Sequence, residues 1–178
     1  MTTQELIDLR TCIMEGRNHD ALAIIDELDA MSKKDTLFKI DSYLTVVLIH
    51  LIKNQIEGRL TNSWAASIRA SIRKIKDLNL KENKTSYYIK EDEWDEMLEN
   101  ATEFAIGDAS VEVENGAYSP FQLEEMVDKN SVVATAKSFL ALTYAYSTKD
   151  LLAVIDDNLT LLPGGEDWKF GRRNKQHF

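Results

Sequence analysis

Residues 48–75, LIHLIKNQIEGRLTNSWAASIRASIRKI, contain the pattern that decides the fold. From about Thr36 to Leu60, apolar side chains recur every three or four positions, which is the repeat of one helix face. Gly58 and a short link follow, and a second apolar stripe at the same spacing begins at Trp64. Two long helices joined by so short a link pack antiparallel. The stretch therefore predicts a central pair, Thr36 to Leu60 and Ser63 to Leu78.

Further helical patterns flank this pair on both sides. A first helix is predicted to run to about Glu15, where Gly16 stops it. A second begins at Asn18, and later helices cover about 92–109, 120–128 and two segments after Asn130. The side chains expected to point inward from these helices include Leu6, Leu9, Ile13, Leu22, Ile25, Leu28 and Phe104. The predicted fold class is all-α, a helical bundle of about six to eight helices.

The central stretch resembles domain-of-unknown-function family 29, a largely cyanobacterial group. The shared pattern is an acidic helix, a Leu-rich helix with His-Leu-x-Lys, and then Ser-Trp-x-x-x-Ile-Arg. The matching positions are Glu27, Met31, Leu48, His50, Leu51, Lys53, Gln55, Ser63, Trp64, Ile68 and Arg69. The segment PFQLEEMVD, residues 120–128, is similar to the end of the family domain. The resemblance implies an all-helical fold and no established activity.

This resemblance covers about residues 1–130 and suggests the domain organisation. We expect one helical domain over residues 1–162, with a family-like core to about 130 and extra helices at 131–162. Asn54 departs from the pattern, because the family usually has Trp at that position. Pro163, Gly164 and Gly165 are expected to end regular structure, which leaves residues 163–178 as a flexible basic tail.

The overall composition is that of a soluble globular protein. The chain has 178 residues, of which 44% are hydrophobic, and one cysteine, Cys12, that is expected to be buried and inert. There is no membrane-spanning apolar run and no signal-peptide pattern, so a cytoplasmic location is expected. A formal net charge of −9 argues against nucleic acid as the partner, since that affinity depends on cations that meet phosphates.

Charge is distributed unevenly along the chain. Residues 59–84 contain seven cations and two acids, a net charge of +5, whereas residues 91–129 contain thirteen acids and one lysine, a net charge of −12. The two segments could face each other, or each could form a solvated helix face. Alternatively, the acidic segment from Glu91 to Asp128 could dock a basic partner protein and increase its association rate.

Candidate binding residues fall in the central helices. His50 and Lys53 are one turn apart and share a helix face, and Trp64 and Arg69 come from the facing helix. A buried histidine beside a lysine has a lowered pKa and can serve acid–base chemistry. A structural role in helix register, a recognition site and a catalytic site all remain open for this group. No carboxylate in that stretch orients the imidazole, and no nucleophile is spaced to use it, so no catalytic residue is assigned.

Other chemistry finds little support in the sequence. No histidine or cysteine spacing indicates a metal site, and no glycine-rich phosphate loop is present, so no metal or cofactor is expected. In the tail, Arg172 and His177 match the Arg-x-x-x-x-His spacing of certain helical ribonucleases. Such a pair arises readily by chance in this composition. An RNA-acting or toxin-like ribonuclease is therefore kept as the alternative function.

The sequence thus predicts a non-catalytic module that binds another protein. The binding surfaces are expected to be the acidic segment, the tail, or both. The candidate tail contacts are Arg172, Arg173, Lys175 and His177. A homodimer through the extra helices is also possible, because Phe139, Tyr144 and Tyr146 are more aromatic surface than a peripheral helix needs.

Overall fold

The computed structural model describes residues 3–171, and within that range the chain is all-α. The helices are α1 (Thr3–Met14), α2 (Asn18–Glu57), α3 (Asn62–Asn79), α4 (Asp95–Ser110), α5 (Pro120–Met126), α6 (Lys129–Ala145), α7 (Thr148–Leu159) and α8 (Gly165–Lys169). A 3₁₀ turn, Val113–Gly116, follows α4. The only β pairing in the described part is an isolated bridge between Leu80 and Tyr87. The predicted fold class is confirmed.

The longest element, α2, is one unbroken helix of 40 residues. The sequence patterns suggested two helices, one from Asn18 and another from about Thr36. No glycine or proline occurs between residues 18 and 57, so nothing in the backbone stops the helix between the two apolar stripes. The change in pattern near Thr36 therefore marks a change in burial and leaves the helix intact.

The chain divides into two compact units, Met1–Lys39 and Ile40–Phe178. The first, called here the N-terminal unit, consists of α1 and the beginning of α2, connected by a turn in which Gly16 has a φ of +71°. Its buried apolar residues are Cys12 and Ala21. The burial predicted for Cys12 is confirmed, whereas Leu6, Ile13, Leu22 and Ile25, which were expected to point inward, are exposed.

The second, the C-terminal unit, contains the hydrophobic core. In this unit α3 packs on α6 and α7, and α4 packs on α5 and α6. The end of α2 and the following helix supply the two apolar stripes of the central pair. These stripes are completely buried at Ile40, Leu44, Val47, Leu48, Ile52, Ile68, Ile72 and Ile75. Phe104 was expected on the inner face of α4, but its side chain is 72% exposed.

Side-chain caps set the starts of several helices. Thr61 caps α3 by accepting a hydrogen bond from the Trp64 backbone N–H. Ser119 and Gln122 form a capping box at the start of α5, with Pro120 in the first position as expected. Within residues 3–171, no helix has the length and apolar composition needed to span a bilayer.

Regular structure continues past Pro163, Gly164 and Gly165, contrary to the sequence expectation. Gly165 opens the short helix α8, whose Trp168 Nε1 donates to Asn62 Oδ1 at 3.2 Å. A Cβ on Gly165 would overlap the carbonyl oxygens of Leu159 and Thr160, so glycine allows this close backbone approach. The remaining tail residues, 172–178, lie outside the described residues.

Candidate functional site

The structure brings His50, Lys53 and Trp64 together in one cluster. The rings of His50 and Trp64 are stacked, with centroids 6.4 Å apart and an interplanar angle of 30°. Lys53 Nζ lies 4.6 Å from the Trp64 ring centroid, and the Arg59 guanidinium carbon lies 4.8 Å from it. Two cations over one indole are a favourable cation–π arrangement. The Thr61 cap sets this geometry, because it starts α3 three residues before Trp64.

Lys53 is an unusually buried cation. The residue is 7% exposed, and its Nζ donates to Glu112 Oε2 at 3.1 Å. Glu112 lies just before the 3₁₀ turn, in which Glu114 and Asn115 both have left-handed backbone conformations. This pairing stabilises the charge of Lys53 inside the fold. It also connects α2 with the end of α4.

The surroundings of His50 favour its neutral imidazole form. Burial lowers its pKa below the usual histidine range, the nearby Lys53 cation lowers that pKa further, and Glu112 opposes both effects. Its Nδ1 is buried and has no hydrogen-bond partner among the described residues. A neutral histidine without an orienting carboxylate lacks the partner that general acid–base catalysis uses. The described residues of the cluster therefore offer ring stacking and a buried cation.

Arg69 occupies a different environment from the other three predicted site residues. Its Nη1 donates to Oδ1 and Oδ2 of Asp156 on α7, at 2.9 Å each. No hydrogen bond, ion pair or ring contact in the described part of the chain joins Arg69 to His50, Lys53 or Trp64. Arg69 therefore fastens α3 to α7.

Two further cluster residues, Arg59 and Glu112, were not identified from the sequence. Arg59 lies in the α2–α3 link and is paired with Glu57, with Arg59 Nη2 to Glu57 Oε1 at 2.9 Å. Glu112 is 59 residues beyond Lys53, and only the folded chain brings them together. Lys53 directly follows the apolar run of α2, and a lysine so close to the core was the available signal of an acidic partner.

Asn54 takes part in the packing of the α2–α3 link. It is 2% exposed, and its Nδ2 donates to the carbonyl oxygens of Arg59 at 3.0 Å and Pro163 at 2.8 Å. Gly164 has a φ of +70°, and a Cβ there would come within 2.8 Å of the Arg59 Cα. Asn54 thus fastens the segment after α7 to the turn between the central helices.

A second buried polar cluster was also missed by the sequence analysis. Asn79 exchanges two hydrogen bonds with the backbone of Ile89, and Tyr144 Oη receives hydrogen bonds from Asn79 Nδ2 and from Trp94 Nε1. Phe139 is buried as well, at 2% exposure. Phe139 and Tyr144 therefore take part in the interior packing of the C-terminal unit. The homodimer surface expected from Phe139, Tyr144 and Tyr146 is wrong for the first two of these residues.

The acidic side chains between Glu91 and Asp128 form a second candidate site, called here the acidic surface. All thirteen of them are exposed. Four form salt bridges, and their cations are Lys53, Lys129 and Lys137. No salt bridge in the described chain joins this surface to the basic segment 59–84. Whether the two segments face each other, or each forms a solvated helix face, stays a prediction.

Exposed apolar side chains lie within the acidic surface. Phe104 on α4 is 72% exposed, and Val111, the C-cap residue that follows α4, is 74% exposed. Val111 keeps helical backbone angles, so the two side chains, seven residues apart, lie on the same side. Phe121 at the start of α5 is 81% exposed. Since α4 and α5 pack on each other, these side chains belong to one region of the C-terminal unit.

The described residues contain no group of three or more His, Cys, Asp or Glu side chains arranged to hold a metal ion. The candidate tail contacts Arg172, Arg173, Lys175 and His177 lie outside the described residues, so the predictions for the tail stay predictions.

A comparison with known proteins identifies the family of this chain. The model of the domain of unknown function DUF29 matches residues 8–132 of the 178. The chain belongs to the DUF29 family. No curated protein and no solved structure matches it. The region that matches the DUF29 model ends near the beginning of α6, so α7 and α8 lie beyond it. The carbonyl of Pro163, which accepts a hydrogen bond from Asn54, also lies beyond it.

Proposed function

We propose that this DUF29 protein is a non-catalytic, cytoplasmic interaction module whose acidic surface binds a basic segment of another protein. The observation that supports this most strongly is the exposure of Phe104, Val111 and Phe121 among unpaired acids. Nine of the thirteen acids form no salt bridge within residues 3–171. A solvated helix face needs no such aromatic side chains, whereas interface cores are enriched in them.

The chemistry of this surface favours one kind of partner. The acids attract a cationic segment and raise its rate of encounter. The exposed phenyl rings would then provide the desolvated contacts that carry most of the affinity. The partner that fits is therefore a basic amphipathic segment, with apolar side chains for the two phenylalanines and Lys or Arg around them.

The test compares three full-length tagged proteins in affinity capture from host lysate. These are the wild type, a surface variant with Glu96→Gln, Glu99→Gln and Asp108→Asn, and a control with Asp77→Asn, Glu82→Gln and Asp157→Asn. Both variants remove three exposed acids and change the net charge equally. We expect a protein that is retained by the wild type and the control and lost by the surface variant.

The captured protein is then purified and its affinity is measured directly. We expect Phe121→Ala to weaken it by about tenfold or more, as the loss of an interface aromatic does. Equal capture by all three proteins would contradict the proposal. Capture that disappears when the lysate is treated with nuclease would favour the RNA-acting alternative and direct attention to Arg172 and His177.

A further inference from the structure

The acidic surface contains an exposed row of side chains on α4 and the two residues after it. Phe104, Asp108 and Glu112 follow one another at four-residue steps, and Val111 lies beside Glu112. The backbone keeps helical angles at Val111 and Glu112, so the row continues past the last residue of α4. All four residues are exposed, and Asp108 forms no salt bridge within residues 3–171. This row, called here the acidic stripe, therefore presents carboxylates beside apolar groups.

Contacts lead from the acidic stripe to the link between α2 and α3. Glu112 Oε2 accepts a hydrogen bond from Lys53 Nζ at 3.1 Å, and Lys53 Nζ lies 4.6 Å from the Trp64 ring centroid. The Arg59 guanidinium carbon lies 4.8 Å from the same centroid. One ion pair and two cation–π contacts thus connect the acidic stripe with the α2–α3 link.

The last described part of the chain packs against the same link. A Cβ on Gly164 would come within 2.8 Å of the Arg59 Cα, so the two backbones are in contact. The short helix α8 follows at once, and the Gly171 N–H donates to the Trp168 carbonyl oxygen at 3.2 Å. Residues 172–178 therefore continue from the end of the C-terminal unit that also holds the α2–α3 link.

The chemistry of residues 172–178 complements that of the acidic stripe. Their sequence is RRNKQHF, which contains an aromatic residue, Phe178, no acid, and three cations, Arg172, Arg173 and Lys175. Arginine forms strong bidentate pairs with carboxylates, and a phenyl ring can cover an exposed apolar side chain. The 172–178 segment is thus a basic ligand with an apolar group, which is the chemistry that the acidic surface fits.

The length of this segment matches the length of the stripe. An extended chain spans at most about 3.3–3.6 Å per residue, so seven residues extend roughly 23–25 Å. Phe104 and Val111 are seven helical positions apart, or about 10 Å along the helix axis. The 172–178 segment is therefore long enough to lie along the whole stripe.

We propose that residues 172–178 bind the acidic stripe of their own chain and compete there with the basic partner of the proposed function, on which this inference rests. The three cations face Asp108, Glu112 and the exposed Glu114, and Phe178 contacts the apolar groups. A short tether presents this ligand at an effective concentration on the order of millimolar, which a second copy in dilute solution does not reach. The apparent affinity for a partner falls with the fraction of chains whose stripe is free.

The first experiment tests the contact without any partner. The full-length chain at low concentration is treated with a carbodiimide, which joins a lysine amine directly to a touching carboxylate. Coupled sites in the monomeric product are then mapped by mass spectrometry. Lys175 is the one lysine of the 172–178 segment. We expect it to couple to Asp108, Glu112 or Glu114, with a yield that falls in high salt because exposed charges are screened.

A matched pair of full-length variants locates the coupling. The stripe variant carries Asp108→Asn and Glu114→Gln, and the control carries Asp92→Asn and Glu99→Gln. All four acids are exposed on the acidic surface, and none forms a salt bridge within residues 3–171. We expect the yield of Lys175 coupling to fall at least about threefold in the stripe variant, since two of its three carboxylates are gone. The control should keep the yield of the wild type.

The second experiment measures whether the stripe is occupied. The probe is a synthetic peptide, KFGRRNKQHF, that copies residues 169–178. The segment variant of the full chain carries Arg172→Glu, Arg173→Glu and Lys175→Glu. Its control has the same net charge and carries Arg73→Glu, Lys74→Glu and Lys84→Glu, all at exposed positions. We expect the segment variant to bind the peptide about tenfold more tightly than the control, because its own segment no longer covers the stripe.

Three results would overturn the inference. The first is Lys175 that stays uncoupled or couples only to carboxylates outside the acidic stripe and Glu114. The second is coupling found only in covalently joined dimers, since the segment then binds a second copy. The third is equal peptide affinity of the segment variant and its control. Neither experiment uses the captured partner, so a failure of this inference is distinguished from a failure of the proposed function.

Discussion

The two units of this protein use similar helical sequence in opposite ways. The C-terminal unit buries 29 of the 31 buried apolar residues of the described chain, whereas the N-terminal unit buries Cys12 and Ala21. Both units contain amphipathic helices with apolar residues every three or four positions. The C-terminal unit surrounds its central helices with several others, and the N-terminal unit contains only α1 and the start of α2. Periodicity shows which face is apolar, and the number of neighbouring helices decides whether that face is covered.

The largest expected effect tests this contrast with the same substitution at two places on α2. Leu48 is completely buried in the C-terminal unit, and Leu22 is 59% exposed in the N-terminal unit. We expect Leu48→Ala to lower the free energy of unfolding by about 3 kcal/mol, through lost burial and a residual cavity. Leu22→Ala should change it by less than about 0.5 kcal/mol. Urea denaturation measures both, and similar losses would show that Leu22 is covered.

A smaller effect is expected from the ion pair inside the C-terminal unit. Glu112→Gln leaves the buried Lys53 cation without its anion, although the Glu112 side chain is itself 54% exposed. Because that exposure screens the interaction, we expect a loss of about 1–2 kcal/mol in the free energy of unfolding. Restoration of stability by the further change Lys53→Met would confirm that an unpaired buried charge is the cause. A neutral result for Glu112→Gln alone would show that Lys53 reaches solvent.

The pH dependence of stability provides a third test. Because the pKa of His50 is lowered in the folded state, the unfolded chain takes up a proton first as the pH falls. The contribution of His50 to stability should therefore be fully present above about pH 6.5, and it should be lost as the pH falls below the pKa of an unfolded histidine. We expect His50→Gln to reduce the slope between pH 7 and 5 in thermal unfolding. His19→Gln, in the N-terminal unit, should leave that slope unchanged, because His50 is still present.

The smallest effect is expected from an exposed ion pair of the N-terminal unit. Lys39 and Asp35 are one turn apart on α2, with Nζ to Oδ2 at 2.9 Å and both side chains more than half exposed. Asp35→Asn should lower the free energy of unfolding by about 0.5 kcal/mol or less. The loss should disappear in high salt. A loss as large as that of Glu112→Gln would show that the pair is shielded from solvent.

Much of the fold was predictable from the sequence because local rules determine it. The central helix pair, the start of α5 at Pro120 and the capped start of α7 after Ser147 follow from apolar spacing and capping residues. The predicted break in α2 was wrong, because a loss of apolar periodicity was interpreted as the end of a helix. The predicted end of regular structure at Pro163 was wrong as well. The helix α8 depends on the close approach of Gly165 to the carbonyl oxygens of Leu159 and Thr160, and on the hydrogen bond from Trp168 to Asn62.

The candidate site was predictable only in part. His50 and Lys53 share a face by helix geometry, and Trp64 could be placed opposite them because the α2–α3 link is short. Arg69 could not be assigned to Asp156, and Lys53 could not be assigned to Glu112, because those contacts join helices distant in the sequence. The acidic surface was predicted from charge alone, and its exposed phenylalanines were not.

The sequence by itself determined the helices, most of their starts, the family and the strong negative charge between residues 91 and 128. These properties depend on neighbouring residues, whose spacing and capping chemistry are read directly from the chain. Only the tertiary structure decided which apolar faces are covered, which acids are paired, and which side chains surround Trp64. Burial and ion pairing depend on distances between helices far apart in sequence, and a helix pattern is the same whether or not another helix packs on it.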